Sequence, residues 1–110
     1  MKSGALREGK AALDRALAIQ EAQLGVDHPE VAWTLKSFAE LDAASGDLAG
    51  ARSHYDRAVA ILERQTGEQV TDLAEMLEGY AALLRRSGEA GEAAELEARS
   101  RAIRARVAGG

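Results

Sequence analysis

Cysteine is missing from this 110-residue sequence, which excludes disulfides, thiolate metal sites and cysteine nucleophiles. Proline occurs once, as Pro29, and aromatics four times, as Trp33, Phe38, Tyr55 and Tyr80. A chain this poor in aromatic and β-branched residues has little to build a sheet from. No apolar run approaches the roughly 20 residues that a membrane-spanning helix needs, and the opening MKSGALREGK is too polar to read as a signal peptide. For the same reason no membrane partner is expected, and the formal charge of −4 disfavours a nucleic-acid partner. What is present is alanine, leucine, glutamate and arginine in quantity, the composition of helices. Apolar residues at 46% and charged residues at 29% describe a folded domain rather than a disordered segment.

Sliding the sequence against itself reveals a repeat at an offset of 42. Asp14-Arg15-Ala16, Ala18, Ile19, Glu21 and Gly25 recur as Asp56-Arg57-Ala58, Ala60, Ile61, Glu63 and Gly67. Ala32, Leu35, Ala39 and Leu41 recur as Ala74, Leu77, Ala81 and Leu83, with Phe38 answered by Tyr80. Ser45-Gly46 recurs as Ser87-Gly88, and Ala51, Arg57, Ala60 and Ile61 as Ala93, Arg99, Ala102 and Ile103.

Within each unit the apolar spacing is helical: Leu13, Ala16, Leu17, Gln20 and Leu24 form one face, as do Val31, Leu35, Phe38 and Ala39. Leu48, Ala51, Tyr55, Ala58, Val59 and Leu62 form another. Asp27-His28-Pro29-Glu30 reads as a helix start with Asp27 as N-cap and Glu30 reaching back. Gly25 and Gly67 read as helix-ending glycines, and the two Ser-Gly pairs as short turns. Five helices are expected, near residues 5–24, 29–44, 47–66, 70–86 and 89–107, with antiparallel neighbours because the connections are short.

The stretch Ala16-Leu17-Ala18-Ile19-Gln20-Glu21, then Leu24-Gly25-Val26-Asp27-His28-Pro29-Glu30-Val31-Ala32, resembles the 42-residue tetratricopeptide repeats of kinesin light chains and their bacterial relatives. The pattern continues through Leu35, Phe38-Ala39, Gly46-Asp47-Leu48, Ala51, Tyr55 and Arg57-Ala58-Val59, and covers nearly the whole chain. The resemblance implies an all-α solenoid of helical hairpins, five antiparallel helices in a right-handed superhelix. The expected organisation is a single domain over 1–110: residues 3–25 the second helix of a truncated repeat, 27–67 a first full repeat, and 69–107 a second with a C-terminal capping helix. Ala108-Gly109-Gly110 reads as a frayed tail.

The chain opens at the turn before a second helix, so helix 1 lacks its own first partner. A fragment of a longer array and an edge covered by self-association near Leu6, Gly9 and Leu13 are the two readings. On helix 5, Arg101 and Glu97 stand where earlier units have apolar residues, leaving a stripe of Ala93, Leu96, Ser100, Ile103 and Val107, as a terminal helix should.

Little qualifies for chemistry. His28 is expected in capping and packing, and His54 in solvent. Glu68, Asp72, Glu75 and Glu78 suit the front of a helix through the macrodipole. Arg85, Arg86, Arg99, Arg101, Arg104 and Arg106, interleaved with glutamates, read as a solvated face of pairs at helical spacing. No catalytic, metal-binding or cofactor-binding residue is singled out, no cofactor is expected, and an enzyme is not expected. The resemblance places the first helix of each pair on a concave surface, so the expected groove comprises Trp33, Lys36, Ser37 and Glu40 with Glu75, Glu78, Ala82, Arg85 and Arg86. Small residues at Ala43, Ala44, Gly79 and Ala82 would leave its floor open. Trp33 is equally readable as a ligand anchor or as packing against helix 1. The asparagines that kinesin-light-chain repeats use to hold a ligand's backbone are absent, with Lys36-Ser37 and Glu78-Gly79 in their place. The expected function is protein or peptide binding in the cytoplasm; the alternative is a structural spacer or homo-oligomerisation module.

Overall fold

The computed structural model describes residues 3–65 and 70–109. They form five helices: α1 (Ser3–Leu24), α2 (Pro29–Ala44), α3 (Leu48–Glu63), α4 (Val70–Arg86) and α5 (Ala90–Gly109). The fold is an all-α helical repeat, with no strand among the described residues. It divides into two compact units, Met1–Ile61 and Leu62–Gly110, so the last two residues of α3 count with α4 and α5. None of the helices is long and apolar enough to cross a membrane.

In the first unit α1 and α2 run antiparallel. Lys10 Nζ donates to Ser45 Oγ at the far end of α2 (3.1 Å), whereas Gln20 meets Thr34 near its start. Leu6 is buried, and a Cβ placed on Gly9 would lie 3.0 Å from Leu41 Cδ1. The apolar face of α2 is continuous: Val31, Ala32, Leu35, Phe38 and Ala39 are buried, and Asp42 extends the same stripe. Each large member, such as Leu35 with no exposed area, contributes roughly 1.5–3 kcal/mol by leaving water. In the second unit, buried Leu73, Ala74, Met76, Leu77, Tyr80, Ala81, Leu83 and Leu84 occupy about half the circumference of α4 at ~100° per residue. Helix α5 answers with a narrow strip, Ala93, Ser100 and Ile103. Leu96 is half-buried and Val107 is exposed, so the expected stripe stops one turn early.

The helix ends repeat as well. Gly46 and Gly88 take positive φ, 84° and 85°, a conformation that glycine reaches without a Cβ penalty. Around them Asp47 N–H bonds Asp42 O and Glu89 N–H bonds Leu84 O, each 2.8 Å, while Gly46 and Gly88 donate to Ala43 O and Arg85 O. These are two copies of one helix stop. Asp47 then opens α3, its Oδ1 accepting from Gly50 N–H at 2.8 Å.

Three local expectations are corrected. The cap of α2 is His28, not Asp27: His28 Nδ1 accepts from Glu30 N–H at 3.1 Å, with Pro29 at the first helical position. Helix α3 ends at Glu63 rather than 66, and α5 continues through Ala108 and Gly109, where a frayed tail is expected. Gly67 and Glu68 lie outside the described residues.

Candidate functional site

A shallow cleft of about 380 Å³ lies between α1 and α2, lined by Leu13 and Gln20 from α1 and by Glu30, Trp33, Thr34 and Ser37 from α2. On α2 these four residues occupy the side away from the buried stripe and toward α1, because positions 30, 33, 34 and 37 share one helical face. Leu13 and the half-buried Trp33 supply its apolar area. Thr34 Oγ1 donates to Gln20 Oε1 at 2.5 Å, fixing the amide so that its N–H2 group remains to donate outward. Ser37 Oγ reaches Trp33 O at 3.4 Å. Glu30 is the one acidic side chain of the lining. The cleft thus combines one aromatic surface, a small set of hydrogen-bonding groups and a single acidic side chain.

The remaining expected groove residues fall on two helices in different units. Lys36 and Glu40 lie on α2 beyond the cleft and pair with each other at 3.8 Å. On α4, Glu75, Ala82 and Arg86 are exposed on one face, but Glu78 and Arg85 on the same face are committed to α5. Arg85 makes a two-pronged pair with Glu97, 2.7 and 2.5 Å. Arg104 does the same with Glu78, 2.7 and 2.9 Å, and Ser100 Oγ also donates to Glu78. These donors hold the Glu78 carboxyl below its ordinary range, the Arg104 hydrogen bonds being the main cause. Arg85 does likewise for Glu97, and both arginines are pushed up in turn. Three arginines of the basic C-terminal third, Arg85, Arg99 and Arg104, therefore reach across to other helices rather than pairing at helical spacing along α5.

One such bridge explains part of the repeat. Arg57 on α3 bonds Glu21 on α1, and 42 residues later Arg99 on α5 bonds Glu63 on α3 at 2.7 Å. The recurring glutamates and arginines join consecutive second helices.

A second cluster escapes sequence reasoning altogether. Asp42 is 3% exposed; its Oδ1 lies 3.1 Å from Lys10 Nζ and its Oδ2 2.6 Å from His54 Nδ1. The His54 ring stacks on Phe38 at 4.5 Å between centroids. His54 is thus a half-buried link between α2 and α3, not the solvated residue expected. The signal lay in a break of the repeat: Asp42 and His54 correspond to Leu84 and Leu96, so a polar pair in one unit replaces an apolar pair in the other.

The residues expected for self-association sit as follows. Leu6 is buried, a Cβ on Gly9 would meet Leu41 of α2, and Leu13 lines the cleft. The exposed large apolar residues near this end are Ile19, Leu24 and Val26. Among the described residues no His, Asp and Glu group is disposed to hold a metal ion.

No curated protein matches the chain. The family model described as tetratricopeptide repeat matches residues 1–64, more than half of the sequence, in agreement with the helical pairs and the 42-residue offset. The chain belongs to the tetratricopeptide repeat family.

Proposed function

We propose that this chain is a non-enzymatic protein-binding module that takes a peptide segment of its partner in the α1–α2 cleft. Tetratricopeptide repeats generally mediate protein–protein interaction. The observation that carries the assignment to this cleft is the half-buried Trp33 beside Leu13, ringed by Gln20, Thr34, Ser37 and Glu30. A partner segment with an apolar side chain for Trp33 and a lysine or arginine for Glu30 fits these groups, and Gln20 can donate to its backbone. Lys36 with Glu40, and the exposed Glu75, Ala82 and Arg86, serve as flanking surface. The repeats are of the 42-residue kinesin-light-chain type in this reading, and the working compartment is the cytoplasm. With asparagine absent, backbone capture falls to Gln20 and the two hydroxyls.

The test is nitrogen-15 shift mapping of the full chain with peptides selected from a displayed random library. Shifts concentrated on the Trp33 indole, Gln20 and Thr34 are expected. Shifts confined to α4 and α5 would contradict the assignment.

A further inference from the structure

The repeat supplies an internal standard for what ought to be covered. Ile19, Ile61 and Ile103 are equivalent positions in the three second helices. Ile61 and Ile103 are 2% and 4% exposed, but Ile19 is 56% exposed. Arg15, Arg57 and Arg99 form the matching series of charges, of which Arg57 bonds Glu21 and Arg99 bonds Glu63. Exposed Ala5, Ala12 and Ile19 recur every seven residues along α1, and exposed Glu8 and Arg15 run beside them at the same spacing. This seam lies about a quarter turn around α1 from the cleft's Leu13 and Gln20.

We propose that a second copy of this chain covers the seam, the two α1 helices packing antiparallel about a two-fold axis at Ala12. Charge complementarity selects this occupant. With the axis at Ala12, Glu8 sits about 6 Å to one side along the helix and Arg15 about 4.5 Å to the other, at ~1.5 Å rise per residue. Inversion of the partner then brings its Arg15 level with Glu8 to within ~1.5 Å along the axis, and the pair forms twice by symmetry. Ile19 meets the partner's Ala5, and alanine at the axis lets the helices approach closely. A parallel pairing would instead put the Glu8 and Arg15 of the two copies on opposite sides of the seam and form neither pair. The seam uses none of the residues that line the α1–α2 cleft, so its test is separate from that of the proposed peptide site.

Sedimentation equilibrium of the full chain, with far-UV circular dichroism to confirm folding, tests this. A reversible dimer is expected. Arg15→Glu raises its dissociation constant at least ~10-fold by setting like charges together, and Glu8→Arg with Arg15→Glu returns it to near the starting value. Because the chain is free of cysteine, Ala12→Cys offers a second readout: its thiols should oxidise to a symmetric dimer, whereas an Ala98→Cys control on α5 should not. A wild-type chain that stays monomeric at its highest soluble concentration would overturn the proposal and leave the seam to a different protein. So would a dimer indifferent to Arg15→Glu, or one not restored by the double reversal.

Discussion

Replacing Asp42 with leucine, the residue its repeat-equivalent carries, tests what the buried charge cluster does. Asp42 is 3% exposed and holds two basic partners, Lys10 at 3.1 Å and His54 at 2.6 Å. Hydrogen bonds to charged groups contribute about 1.5–3 kcal/mol each. The partners' side chains are 29% and 30% exposed, so both can rehydrate once the carboxylate is gone, and the full penalty of a stranded buried charge does not apply. Leucine recovers some burial of its own. The expected net cost of Asp42→Leu is about 2 kcal/mol, a fall in melting temperature of roughly 8 °C for a chain of this size. Adding His54→Leu reproduces the Leu84 and Leu96 pair of the second repeat and removes the imidazole that has lost its acceptor. Lys10 can carry its ammonium outward along its stem. The double variant is expected to recover at least half of the loss, a favourable coupling of about 1 kcal/mol or more in a double-mutant cycle read by urea denaturation. Strict additivity, or an Asp42→Leu chain as stable as wild type, would refute the idea that the two residues substitute as a unit for an apolar pair.

Two further outcomes follow from local geometry. Gly46 holds φ at 84°, so Gly46→Ala should destabilise by about 1–2 kcal/mol in thermal melts, although a Cβ there meets no neighbour within 4 Å. The Glu78 carboxyl is held below its ordinary value of 4.5 by Arg104 and Ser100, so its contribution is complete above that value and is lost as pH falls through the depressed one. The acid limb of the stability curve should therefore flatten in Glu78→Gln, measured by melting temperature between neutral pH and strong acid.

The fold was legible because one physical requirement recurs every 42 residues: a helix must hide one face, stop at a left-handed glycine and turn back. Leu35, Phe38 and Ala39, with Leu77, Tyr80 and Ala81, satisfy it in both units, and all are buried. The recurrence of Glu21 and Arg57 as Glu63 and Arg99 was visible, but not its meaning, because spacing along one chain does not say which residues meet across helices. The same ambiguity hid the Arg85–Glu97 and Arg104–Glu78 pairs, whose partners lie 12 and 26 residues apart in the sequence. Asp27 and His28 are both able to cap; Pro29 decides between them, because the residue before a proline at the first helical position is the cap. The cleft was half legible. Trp33 and Ser37 were in view, but Gln20 reads as an interruption of an apolar face until Thr34 is seen to hold it.

The central claim is that Trp33 belongs to a binding surface rather than to the core, and one sample decides it. Trp33 is the sole tryptophan, so its fluorescence reports on the cleft directly. Using a library-selected peptide, its affinity for the wild-type chain and for Trp33→Ala is measured by calorimetry, with thermal stability recorded on the same preparations. Binding is expected to weaken by about 2 kcal/mol or more, as for a hot-spot tryptophan, while the melting temperature changes little. Unchanged affinity together with a large loss of stability would contradict the account, making Trp33 part of the packing between α1 and α2.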